Sequence, residues 1–125
     1  MKPYERSDRI RGHLLRILSE TLRRHIKDPR LEAAVISGAK LTRDLRIARV
    51  YYTIPGGPAR IEEARQGFES ARGFIKRTLA RELGLRYMPN LEFFYDESFD
   101  YGERIDQVLK SIERENGSNT EPSEK

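Results

Sequence analysis

The sequence predicts an α+β fold in which a three-stranded sheet is covered by helices on one face. Three observations predict it. An N-terminal stretch carries apolar residues at helical spacing, two adjoining segments alternate with period two, and helical spacing then returns before a third short apolar run. At 125 residues the chain is long enough for one core without staples and too short for two.

The first helix is expected over Ser7–His25, where Ile10, Leu14, Ile17, Leu18, Leu22 and then Ile26 form one apolar face. Ser7 is a candidate N-cap. Asp28-Pro29 stops the helix, because the residue before proline is pushed out of the α region. Arg9, Arg16 and Arg23 recur every seven residues as a basic stripe, a pattern that solvated helix surfaces also show.

From Ala33 to Leu41 and from Leu45 to Ile54 the period is two. In the second segment Ala48, Val50, Tyr52 and Ile54 share a face. A tight turn at Thr42-Arg43-Asp44 makes the pair an antiparallel hairpin. Pro55-Gly56-Gly57-Pro58 ends the second strand.

Ala59–Leu83 predicts two helices. Ile61, Ala64 and Phe68 make one apolar face and Phe74, Ile75, Leu79 and Leu83 another, with Ala71-Arg72-Gly73 as a kink between them. Glycine costs about 1 kcal/mol in a helix interior relative to alanine, which makes Gly73 the natural break. Gly84 is the expected C-cap. Leu91–Asp96 is the third strand. A last helix over Asp100–Glu113 has Asp100 as cap, Glu103 in capping-box position, and an apolar face of Ile105, Val108, Leu109 and Ile112. The expected organisation is one domain over residues 1–115 and a disordered tail over 116–125, which has no apolar residue.

Composition narrows the function. The net charge is +4, but residues 1–86 carry 20 basic and 10 acidic side chains, whereas residues 87–125 carry 4 and 10. Eighteen of the 24 cations are arginine, whose planar fork grips phosphate and stacks on bases. A basic body with an acidic end suits a polyanionic partner. No apolar run is long enough to span a bilayer, and the polar start does not read as a secretory signal. Absence of cysteine removes disulfides, thiolate metal sites and cysteine nucleophiles, and fits a reducing cytoplasm.

Catalysis finds no support. His13 and His25 lie too far apart on the first helix to share a metal. Asp96, Glu97, Asp100, Glu103 and Asp106 suggest a calcium loop, but its glycine would fall on Tyr101 and its twelfth ligand on Gln107. No phosphate-binding glycine loop and no nucleophile with an adjacent base is present. No enzyme, cofactor or metal is expected.

The order α-β-β-α-α-β is that of a type II KH domain. At Asp28-Pro29-Arg30, Leu41-Thr42-Arg43-Asp44-Leu45, Ala48, Val50-Tyr51, Ala71-Arg72-Gly73-Phe74-Ile75-Lys76, Leu85-Arg86-Tyr87-Met88-Pro89-Asn90-Leu91-Glu92-Phe93 and Asp96-Glu97-Ser98 the chain resembles the bacterial ribosome-binding factor A family over about residues 6–113. That resemblance implies a KH-like fold with an Ala-x-Gly kink in place of the Gly-x-x-Gly loop. It implies binding to the 30S subunit and its 16S rRNA late in assembly, rRNA processing and growth in the cold. The sequence contains no Gly-x-x-Gly. RNA contact then falls on side chains and helix ends. The candidates are Arg43 and Arg46 at the hairpin turn, Arg72, Lys76, Arg77 and Arg81 at and after the kink, where a new helix N-terminus would add free amides, and Arg86 before the third strand. Contacts of this kind read phosphate and shape rather than base edges. A cytoplasmic monomer without membrane contact is expected. An alternative remains: a module that docks on a ribosomal protein without touching RNA.

Overall fold

Proline is tolerated in the first turn of a helix, where its missing N–H has no intrahelical role. Helix α1 accordingly spans Pro3–Arg24, beginning four residues before the expected Ser7, which is inside the helix and caps nothing. The computed structural model describes residues 3–98 and 108–113. Leu14, Leu18 and Leu22 bury the core face of α1, one turn apart. Buried Thr21 satisfies its hydroxyl by donating to the Ile17 carbonyl at 2.7 Å. The chain leaves α1 before Asp28 and enters a single 3-10 turn, Pro29–Leu31. Asp28 caps that turn by accepting from the Arg30 amide at 2.9 Å. The same carboxylate receives the Arg30 guanidinium at 2.8 Å.

The hairpin follows as β1 (Val35–Leu41) and β2 (Ile47–Thr53), antiparallel, with an extra β1 residue between Ile36 and Gly38. Its loop is longer than a three-residue turn. The Thr42 amide donates to the Ile47 carbonyl at 3.0 Å, and Leu45 takes the left-handed region at φ 61°. The Thr42 hydroxyl accepts from the Arg46 and Ile47 amides and donates to Asp44 at 2.7 Å. This local network holds the Asp44 carboxyl below its ordinary range, chiefly through the Thr42 hydroxyl. Ala48, Val50, Tyr52 and Ile54 are all buried, as the alternation predicts.

Helix α2 runs without a break over Pro58–Leu83. The two helices expected on either side of Ala71-Arg72-Gly73 are therefore one. A single apolar stripe explains the continuity: Ile61, Ala64, Phe68, Ala71, Ile75 and Leu79 follow each other at three or four residues. Packing of that stripe outweighs the glycine penalty. Gly73 lies on the exposed side. Phe74, expected in the core, is 41% exposed, because it sits about 100° around the helix from Ile75. Gly84 ends α2 at φ 64° and returns its amide to the Ala80 carbonyl at 3.2 Å.

Strand β3 (Asn90–Tyr95) pairs parallel with β2 in register Ile47↔Asn90, giving the order β1-β2-β3. An aromatic run ties the layers together. Tyr52 meets Phe68 at 4.7 Å between centroids, and Phe68 stacks on Phe93 at 4.8 Å. On the sheet face away from this core, Arg49 pairs with Glu92 at 3.4 Å and Tyr51 meets Phe94 at 5.9 Å. These elements form the first of two compact units, which ends at Tyr95. In the second, residues 108–113 are helical. The proposed cap Asp100, Glu103, Ile105 and the 116–125 tail lie outside the described residues. Among the described residues no helix is long and apolar enough to cross a membrane.

Two substitutions should move stability in opposite directions. A Cβ at Gly67 would sit 2.9 Å from buried Leu31, whereas at Gly73 it would meet only the mobile end of Arg77 at 3.3 Å. Thermal unfolding should show Gly67→Ala destabilised by about 1–3 kcal/mol. Gly73→Ala should be neutral or stabilised by up to about 1 kcal/mol. Asp28 adds a pH signature. Its carboxyl is held below the ordinary value of 3.8, first by the Arg30 side-chain hydrogen bond. A lowered carboxylate contributes stability above its unfolded pKa and loses it as pH falls through the folded one. Asp28→Ala should cost about 0.5–2 kcal/mol at pH 7, and the gap should close as unfolding is followed below pH 3.8.

Candidate nucleic-acid interface

The functional question is which cations the fold leaves uncommitted. Up to residue 72 every arginine of α2 is matched by a carboxylate. Arg60 pairs with Glu63 at 3.0 Å and Arg65 with Glu62 at 2.6 Å. The Arg65 fork pushes the Glu62 carboxyl down to about 2, with Gln66 assisting. Arg72 pairs with Glu69 at 2.6 Å and also donates to the Leu91 carbonyl at 2.6 Å. Arg72 is thus a strut between α2 and β3 whose donors are largely spent on the protein.

The second half of α2 differs. Among the described residues, Lys76, Arg77 and Arg81 have no carboxylate within 4.0 Å, and neither do Arg6, Arg43 or Arg86. The Lys76 ammonium instead donates to the Asn90 side chain at 3.4 Å. The Asn90 amide donates to the Arg46 carbonyl at 2.8 Å. Those two bonds bring the second half of α2, the start of β3 and the hairpin turn to one end of the sheet. Arg46 itself is 85% exposed and only loosely paired with Asp44, at 3.8 Å.

A cleft of about 550 Å³ opens there, lined by Arg6, Asp44, Leu45, Arg46, Leu85, Arg86, Tyr87, Met88 and Asn90. It joins three segments far apart in sequence: the start of α1, the hairpin turn and the loop after α2. Of the seven predicted cations, Arg46 and Arg86 line it, Lys76 reaches its Asn90 wall, and Arg43 is exposed in the adjoining turn. Arg77 and Arg81 lie elsewhere on α2, one turn apart. Arg81 faces a shallow hollow against α1, beside His25 and Phe74. Free amides are missing at Arg72, because no helix begins there; mid-helix amides are spent on the i−4 carbonyls. Two residues of the cleft are not among the candidates read from the sequence. Arg6 shows no distinguishing local pattern. Tyr87 was legible as an aromatic beside Arg86 in a loop bounded by Gly84 and Pro89, and it is 77% exposed.

The sequence model of the ribosome-binding factor A family matches residues 6–109. The chain belongs to the ribosome-binding factor A family. Ribosome-binding factor A of Desulfatibacillum aliphaticivorans is 52% identical over 112 residues, spanning 90% of this chain and 91% of that one. The homologue of Geobacter metallireducens is 41% identical over 116 residues, 93% of this chain and 98% of its own. Among solved structures, ribosome-binding factor A from Thermus thermophilus superposes with a TM-score of 0.65 at 26% identity, covering 71% of this chain and 93% of that one. A homology model of the Thermus thermophilus protein, fitted into a cryo-EM map of a 30S–RbfA complex, gives a TM-score of 0.60, again at 26% identity and the same coverage. The α+β architecture is thus the KH-like one of this family, whose members are ribosome-binding factors.

The strut role of Arg72 can be separated from a binding role. Arg72→Leu should lower stability by about 1 kcal/mol, since it removes a charged donor from a part-buried carbonyl, whereas Arg77→Leu should leave the melting temperature unchanged in the same calorimetric comparison.

Proposed function

We propose that this chain binds the small ribosomal subunit through its 16S rRNA during late maturation, acting by contact rather than catalysis. Membership of the ribosome-binding factor A family supports the reading, as does the 30S complex of a family member. The observation that carries it is the excess of positive charge at one end of the sheet, where Arg43, Arg46, Lys76 and Arg86 gather around a cleft with Asp44 as the opposing carboxylate. Arginines in that setting contact phosphates and helical shape. Arg77 and Arg81 extend the basic surface along α2, and Arg72 contributes field more than contact. Release of counterions is then the main source of affinity. A monomer in the cytoplasm, and a part in rRNA processing and growth in the cold, belong to the same proposal.

A second reading has its own observation. Tyr51 and exposed Phe94 lie on the sheet face opposite α1 and α2, a surface that could instead meet a ribosomal protein. Co-sedimentation with small subunits, repeated with naked 16S rRNA, separates the two.

Binding should fall steeply with salt. Reversal of Arg46 and Lys76 together to glutamate should weaken subunit binding at least tenfold and reduce the log–log salt slope by about 2. Salt-independent binding, or full affinity in the double variant, would sink the proposal.

A further inference from the structure

Tyr87 makes little sense as part of the core. The residue is 77% exposed, whereas among the described residues Tyr52, Phe68 and Phe93 pack together in the core. It borders a cleft of about 550 Å³, within the roughly 300–1,000 Å³ that suits a small organic group. Arg86 lies over one face of the ring, 5.5 Å from its centroid. Such a cation polarises the ring and leaves the other face for a planar partner. Arg6 and Arg46 line the same cleft, with Asp44 as the opposing charge.

We propose that this cleft holds one unpaired nucleotide, its base stacked on Tyr87 and its flanking phosphates against Arg6 and Arg46. The inference rests on the RNA-binding reading above and adds a defined subsite to it. Planar base and tyrosine ring supply a contact that any base can make. Asp44, whose carboxyl the Thr42 hydroxyl and the Arg46 amide hold below its ordinary range, pairs only loosely with Arg46 at 3.8 Å, which leaves Arg46 donors free for a phosphate. A duplex cannot use the site, because its bases are already stacked on each other. A cluster built only for phosphate would need no exposed ring beside it.

The chain contains no tryptophan, so Tyr87→Trp installs a single reporter in the full-length protein. Titration with a single-stranded octaribonucleotide should quench its emission. The same strand made abasic, and a blunt RNA duplex, should not. Tyr87→Leu should weaken single-strand binding by about 5- to 150-fold, Tyr87→Phe should retain it, and all three variants should melt like the unsubstituted protein. Equal affinity of Tyr87→Leu, or equal quenching by the abasic strand, overturns the proposal. Small-subunit binding, measured in parallel, distinguishes the two levels. If the unsubstituted protein binds subunits in a salt-sensitive way while Tyr87→Leu loses nothing on the octaribonucleotide, only the nucleotide subsite fails. If the unsubstituted protein binds neither subunits nor RNA, the RNA-binding reading fails with it.

Discussion

Two parallel strands cannot be joined by a short turn; the chain must cross back over the sheet before pairing again. Helix α2 is that crossover, and much of the molecule follows from its length. Its 26 residues extend about 39 Å at 1.5 Å per residue, whereas the seven residues of β2 extend about 23 Å. The excess has to project somewhere. Arg72 reaches Leu91 and Lys76 reaches Asn90, so the helix is level with the start of β3 by residue 76. The last seven residues of α2 therefore overhang the sheet. The loop after Gly84 turns back under that overhang, and the cleft lies between this loop and the hairpin turn.

The same geometry sorts the charges. Over the sheet, the arginines of α2 face carboxylates on their own helix, and these exposed pairs contribute little to stability. Their effect is to neutralise that surface. Along the overhang, Glu82 is the single acid among residues 77–83, and among the described residues neither Arg77 nor Arg81 has a carboxylate within 4.0 Å. Electrostatic attraction for a polyanion is thus focused at one end of the molecule rather than spread over a uniformly basic face.

Much of this was legible in the chain, and the exceptions have physical reasons. Ala48, Val50, Tyr52 and Ile54 were readable because a half-buried strand imposes strict alternation. Gly84 was readable because a left-handed residue after a helix favours glycine. The continuity of α2 was not, since Gly73 looks like a break and the stripe passing through Ala71 is carried by a small side chain. Phe74 was misplaced for the same reason. Ser7 lost its capping role to a proline four residues earlier. The candidate cations were visible individually, but their grouping depends on the β2–β3 register, a pairing between residues 43 apart in the case of Arg49 and Glu92. Local pattern carries no information about such a pairing. It also hid the engagement of Arg72 with Leu91 and the arrival of Arg6 at the cleft.

That register also has a consequence in time. The strand that completes the sheet is the last element of its unit, and Asn90 is the residue through which α2 and the hairpin are joined. During synthesis nearly all the arginines emerge before it does. Until Asn90–Tyr95 has left the ribosome and paired with β2, those arginines are scattered on a hairpin and a helix with no common geometry. With the cleft as the proposed RNA site, a nascent chain would be a poor competitor for RNA, and a chain cut short before Tyr95 would keep its charge but lose the cleft. Assembly of the site is coupled to completion of the fold.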